Sequence, residues 1–147
     1  NFTEFNIQLN SDLRRKLNME LFAVSGQYYT GIKTTIRTTV NYRVQPWGNF
    51  AMGFEVNDIK LGEPYGSTRL WLINPKFEVN FTNNLFWTTF LQYNTQAENF
   101  NVNSRIQWRY RPMSDIFLVY TDNYLTEGNF GPKNRAIVLK FNYFFQL

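Results

Sequence analysis

The chain has no cysteine and no histidine among its 147 residues. Without cysteine there is no disulfide and no thiolate metal site. Without histidine the commonest general base, the Ser–His and Cys–His nucleophile pairs and most zinc sites are excluded together. No apolar run approaches the roughly 20 residues that a membrane-spanning helix needs, and helical periodicity is nearly absent. The mean hydropathy is −0.40. The opening residues, Asn1-Phe2-Thr3-Glu4-Phe5, have neither a basic start nor an apolar centre. They read as the inside of a strand and not as a leader, so the chain is expected to be a processed form or a piece of a longer protein.

What the chain does have is aromatic side chains, 19% of the total, with fifteen Phe, nine Tyr and four Trp. So many rings in a chain of negative mean hydropathy fit strands whose two faces average out, one apolar and one polar. The final residues show the pattern. Ile137, Leu139, Phe141, Tyr143, Phe145 and Leu147 alternate with Val138, Lys140, Asn142 and Gln146, a period of two. Alternation of this kind predicts strands over 2–10, 16–27, 31–44, 49–61, 67–81, 85–97, 100–111, 115–124 and 134–146. In the run 100–111, Phe100, Val102, Ile106 and Trp108 oppose Asn101, Asn103, Arg105, Gln107 and Arg109. The run 115–124 is apolar on both sides, and its faces are left open. Strands this long exceed the usual five or six residues and match the roughly 9–11 that cross a bilayer at a tilt.

The fold class expected is all-β, an antiparallel transmembrane β-barrel with about eight or nine strands here, residues 1–147 forming one segment. The connections around 11–14, 46–49, 82–84 and 112–115 read as tight, and those around 28–31, 62–66, 95–98 and 125–133 as looser. By the convention of short periplasmic turns and long external loops, the last strand runs inward. An odd strand count then implies earlier strands outside this sequence, making it the C-terminal part of a larger barrel.

The candidate chemistry lies in the charged side chains of the polar faces: Glu20, Lys33, Arg37, Arg43, Glu55, Lys76, Glu78, Arg105, Arg109 and Lys140. Lining a lumen, they would select solutes by charge. Because acids and bases are intermixed, a cross-strand network of ion pairs is the favoured reading. Arg105, Arg109 and Arg111 are expected either to attract anions or to pair with Glu78 or Asp122. Trp47, Trp71, Trp87, Trp108, Tyr42, Tyr93 and Tyr110 read as interfacial belts, while Tyr28, Tyr29, Tyr65 and Phe130 are candidates for ligand or partner contact in loops. Glu20, Glu55 and Glu78 are too scattered to single out a two-carboxylate site, so no enzyme is expected. No cofactor or metal is called for. The charge of +4 is spread singly along strands, which argues against nucleic acid.

Phe90-Leu91-Gln92-Tyr93-Asn94, the run from Val102 to Tyr120 and Arg135-Ala136-Ile137-Val138-Leu139-Lys140 carry a resemblance. Residues 85–147, and by strand pattern and the Gly31 turn also 1–84, resemble the C-terminal region of a family of large outer-membrane proteins of Bacteroidota. Members commonly carry an N-terminal domain similar to family-9 carbohydrate-binding modules ahead of a long barrel-like region. The resemblance implies an outer-membrane location in a Gram-negative bacterium and a longer parent chain, with any carbohydrate-binding domain outside this sequence. It supplies no catalytic residues.

The expected partners are outer-membrane lipid and the barrel-insertion machinery, to which Tyr143, Phe145 and Leu147 would present an assembly signal. The expected role is barrel wall, as a membrane anchor, a porin-like solute channel or both. The rivals are a soluble ligand-binding β-barrel, with its apolar faces turned inward, and a component of a multi-protein outer-membrane complex.

Overall fold

Alternation along the sequence becomes one antiparallel sheet in the computed structural model, which describes residues 2–126 and 131–145. Its strands are β1 (Glu4–Asn10), β2 (Leu17–Tyr28), β3 (Gly31–Val44), β4 (Gly48–Lys60), β5 (Ser67–Asn80), β6 (Leu85–Asn94), β7 (Asn99–Arg111), β8 (Ser114–Leu125) and β9 (Gly131–Phe141). They pair in chain order, each with its sequence neighbours, and the sheet is open, with β1 and β9 as its edges.

Because side chains alternate, the cross-strand register decides which ones share a face. One row reads Phe22, Arg37, Glu55, Leu72, Asn94, Asn99 and Leu125 across β2 to β8. A row on the other face reads Val44, Gly48, Val79, Trp87, Ile106, Leu118 and Leu139 across β3 to β9. The faces are therefore consistent across the whole sheet, one polar and charged, one apolar. The two sides of β8 are also assigned: Ile116, Leu118, Tyr120, Asp122 and Tyr124 share the apolar face.

The burial pattern is inverted relative to a water-soluble domain. No hydrophobic side chain is buried among the described residues, whereas Asn18, Ser114 and Asp122 are almost completely withdrawn. Large apolar groups stay open, Leu139 at 72% and Ile137 at 70%. The sheet is a single layer with nothing packed on either side.

Two expectations are corrected. The last strand ends at Phe141, not 146, because β8 begins at Ser114 and offers no ladder further on. Asp115 and Asn142 exchange a last pair of backbone hydrogen bonds, and the Phe144 N–H then turns to the Ser114 hydroxyl. Tyr143 and Phe145 therefore lie beyond the strand, their ring centroids 6.2 Å apart, and Leu147 lies outside the described residues.

The connections do not separate by length. The link between β2 and β3 is only Tyr29-Thr30, and that between β1 and β2 runs over 11–16. Loop length does not distinguish the two ends of the sheet. The ends are distinguished below by charge.

Finally, Pro75 sits inside β5, a central strand. Lacking an N–H, it leaves a gap in the β5–β6 ladder between the Ile73–Tyr93 and Lys76–Phe90 pairs, with register kept on both sides.

Tight turns bring the strands round. In Pro112-Met113, Met113 has a φ of 58°, a left-handed conformation that is costly for a side chain with a Cβ. Met113→Gly should raise stability by about 0.5–1 kcal/mol, the relief of that cost less glycine's entropy, measured as a higher urea midpoint.

Candidate functional site

The register puts Glu20, Lys33, Arg37, Arg43, Glu55, Lys76, Glu78, Arg105, Arg109 and Lys140 all on one face. Some of them meet. Arg37 Nε donates to Glu55 Oε2 at 2.9 Å, directly across β3 and β4. Lys76 Nζ lies 2.6 Å from Glu78 Oε1 on the same side of β5. Arg109 pairs at 3.4 Å with Asp115, its partner in register on β8 and absent from the sequence-based set.

Others find different company. Lys33 Nζ stands 5.5 Å from the centroid of the Tyr28 ring, a cation–π contact. The Arg43 guanidinium donates to the Leu13 carbonyl at 3.1 Å. Glu20 lines a shallow hollow with Gln8, Asn10 and Arg37. Lys140 lies opposite Phe117.

The arginine row of β7 differs from expectation. A register shift between Arg109 and Arg111 removes Arg111 from the row, and Arg111 instead reaches the Tyr143 hydroxyl at 3.4 Å. Asp122 is no partner for these arginines, because it lies on the opposite face. Glu55 is opposite Leu72 and Glu78 opposite Asn49, about 20 Å apart along β5 at 3.3 Å per residue. The three glutamates are not gathered into one site.

Charge is uneven along the strands. At the end bearing the 11–16, 45–47, 81–84 and 112–113 connections, the cations are Arg14, Arg15, Lys16, Arg43, Lys76, Arg105, Arg109, Arg111 and Lys140. The acids are Asp12, Glu20, Glu78 and Asp115. This end accounts for the chain's positive charge and is called the cationic end below.

The apolar face carries ionisable residues only near the opposite end. Asp58 accepts from Arg69 Nη2 at 2.8 Å, with Lys60 nearby on the same strand. Asp122 Oδ2 accepts from Tyr120 Oη at 2.5 Å, Tyr124 Oη at 2.7 Å and Arg135 Nε at 2.8 Å. This four-residue cluster escaped the sequence reading. Its signal was Tyr120-x-Asp122-x-Tyr124, a carboxylate between two phenols at a spacing that puts all three on one side of a strand.

Other polar groups on this face also satisfy each other. The Ser25 and Thr34 hydroxyls are 2.8 Å apart, Thr89 and Ser104 2.9 Å, and Trp87 Nε1 donates to Ser104 Oγ at 2.8 Å.

The strand aromatics expected in belts are on this apolar face and gather toward its two ends. Trp108, Tyr110 and Phe141 cluster at the cationic end, with Tyr110 stacked on Phe141 at 5.5 Å. Tyr93, Phe100 and Tyr124 form a row near the other. Trp47 lies in the 45–47 turn. Among the loop candidates, Tyr29 and Tyr65 are exposed, and Phe130 lies outside the described residues. The described residues bring together no group of acidic side chains able to hold a metal, and among them no helix is long and apolar enough to cross a membrane.

Compared with known proteins, the sequence matches no family model and no curated protein.

Proposed function

We propose that the chain is wall of an outer-membrane β-barrel, its apolar face against lipid and its charged face lining the lumen. One observation carries this reading: a single-layer sheet whose apolar face is uncovered and whose fully withdrawn side chains are polar. In water that face would be exposed at a cost of about 25 cal/mol per Å². Against hydrocarbon it is solvated, and only closed β-structures or helices can pair all their backbone groups there.

Three further features support it. Aromatic rows flank the apolar face at both ends. From Trp71 to Val79 and from Gly48 to Val56 that face bears no charge, a stretch of about 30 Å of strand, or about 23 Å at a tilt near 40°. Within it Trp87, Thr89 and Ser104 are hydrogen-bonded to one another, as a medium without water favours.

The open edges bear on the size of the barrel. With nine strands in antiparallel order, β1 and β9 run in the same direction. Closing the sheet on itself would require one parallel ladder, and an all-antiparallel barrel requires an odd number of further strands. The wall is accordingly read as the C-terminal part of a larger barrel, in keeping with the resemblance of residues 85–147. The barrel would serve as a solute channel, as the anchor of a domain carried elsewhere on the parent chain, or as both. The terminal residues Tyr143, Phe145 and Leu147 would act in assembly.

The test is extraction from the native membrane. Protein resisting carbonate and released by detergent, with an intact mass well above 17.6 kDa, is the expected result. A chain monodisperse without detergent would favour the soluble rival, and stoichiometric co-purifying partners would favour a multi-protein complex.

A further inference from the structure

The charged face holds a cleft of about 530 Å³ at its cationic end, and we propose that this cleft binds small oxyanions, with phosphate as the type, between Arg43 and Arg105. The inference rests on the reading above, in which this face lines an aqueous lumen.

The cleft lies along one row of the sheet. Arg43 pairs in register with Asn49, Asn49 with Glu78, Glu78 with Thr88 and Thr88 with Arg105. The row spans five strands, so four strand spacings separate the two guanidinium-bearing rims, about 19 Å along a flat sheet at 4.8 Å per strand. The floor is low because the strands between the two arginines contribute the short side chains Asn49 and Thr88 on this face. Two long cationic side chains thus border a space floored by small and amide groups.

The electrostatics favour an anion. Among the described residues neither arginine is in an ion pair: the Arg43 guanidinium donates to the Leu13 carbonyl, and Arg105 has Glu78 as its neighbouring charge. Glu78 is the one carboxylate lining the cleft. Its Oε1 is held by Lys76 and its Oε2 accepts from Asn49 Nδ2 at 3.4 Å. The carboxylate is thus neutralised from its own strand, which leaves both guanidinium groups with donors to spare. Planar guanidinium donors match the oxygens of phosphate two at a time. A cleft with a cationic surplus between low-dielectric walls concentrates counter-ions. The cationic end would then act as an anion-collecting mouth.

The experiment uses the full protein purified from its native membrane in detergent, with inorganic phosphate as the probe and binding followed by calorimetry. Saturable binding is expected, weakened at least tenfold by the double substitution Arg43→Gln/Arg105→Gln. Lys33→Gln, on the same face at the other end, should leave it within twofold. Glu78→Gln should tighten binding severalfold, a gain that mere structural damage would not produce. A folded wild-type protein that shows no saturable binding, or equal weakening by Lys33→Gln, overturns the proposal. So does dioctanoyl phosphatidic acid competing far better than inorganic phosphate, which would assign the cleft to a lipid headgroup. The barrel reading is checked separately on the same sample by heat-modifiable electrophoretic mobility. If that shift is absent, both readings fall, and if it is present without phosphate binding, only this one does.

Discussion

Ile106→Arg should abolish membrane insertion, whereas Arg105→Ala, one residue away, should leave it intact. Ile106 lies in the centre of β7 on the apolar face, between Trp87 of β6 and Leu118 of β8. An arginine presented to lipid near the midplane of a barrel costs about 2–4 kcal/mol, a large fraction of the stability of an ordinary domain. Val79→Arg, in the same row but at the end of β5 and of the uncharged stretch, should be milder. Arg105 has no carboxylate within ion-pairing distance among the described residues, so its truncation removes little that holds the sheet together. The readout is the fraction of protein reaching the heat-modifiable, protease-resistant form in vesicles. A harmless Ile106→Arg beside a lethal Arg105→Ala would mean that the faces are reversed.

The second large effect is expected at Asp122. Its Oδ2 collects two phenol hydroxyls and a guanidinium on a face that is otherwise apolar around it. Asp122→Ala would remove the acceptor shared by all three donors and leave a cation without its counter-ion. Removing one partner of a withdrawn pair is far more damaging than replacing both. Asp122→Ala should therefore strip the protein of its folded, heat-modifiable form, and Asp122→Leu combined with Arg135→Leu should restore most of it. A double-mutant cycle over Asp122 and Arg135 measures the coupling. Folding of Asp122→Ala at the wild-type level, or no recovery in the double variant, would show that the cluster does not hold β8 to β9.

The sheet was legible in the sequence because a single physical rule governs it. Where one face is apolar and the other polar, a slip of one residue turns every side chain over. The alternation in 31–44 and 100–111 therefore fixed both the strand and its faces, and β3 runs over the residues expected. The same alternation grouped the charged side chains on one face, since that requires only register.

The misses came where the rule does not reach. Alternation continues past Phe141, but a strand needs a neighbour, and β8 has already begun at Ser114. Arg111 left its row because of a register shift that periodicity cannot register. Asp122 is not the arginine partner it was expected to be, because β8 is apolar on both sides and only pairing with β7 and β9 shows that Asp122 faces away from them. The cleft between Arg43 and Arg105 joins residues far apart in the chain through four successive strand pairings. No local spacing could have announced it.

The central claim is that the apolar face meets lipid, and nitroxide scanning along β7 tests it most directly. The chain has no native cysteine, so single cysteines can be placed at each of residues 101–108 without background labelling. In lipid vesicles, collisions with oxygen should peak at Val102, Ser104, Ile106 and Trp108. Collisions with a water-soluble nickel complex should peak at Asn101, Asn103, Arg105 and Gln107, out of phase with the first series. Nickel access at every position, or oxygen maxima on the Arg105 series, would contradict the account.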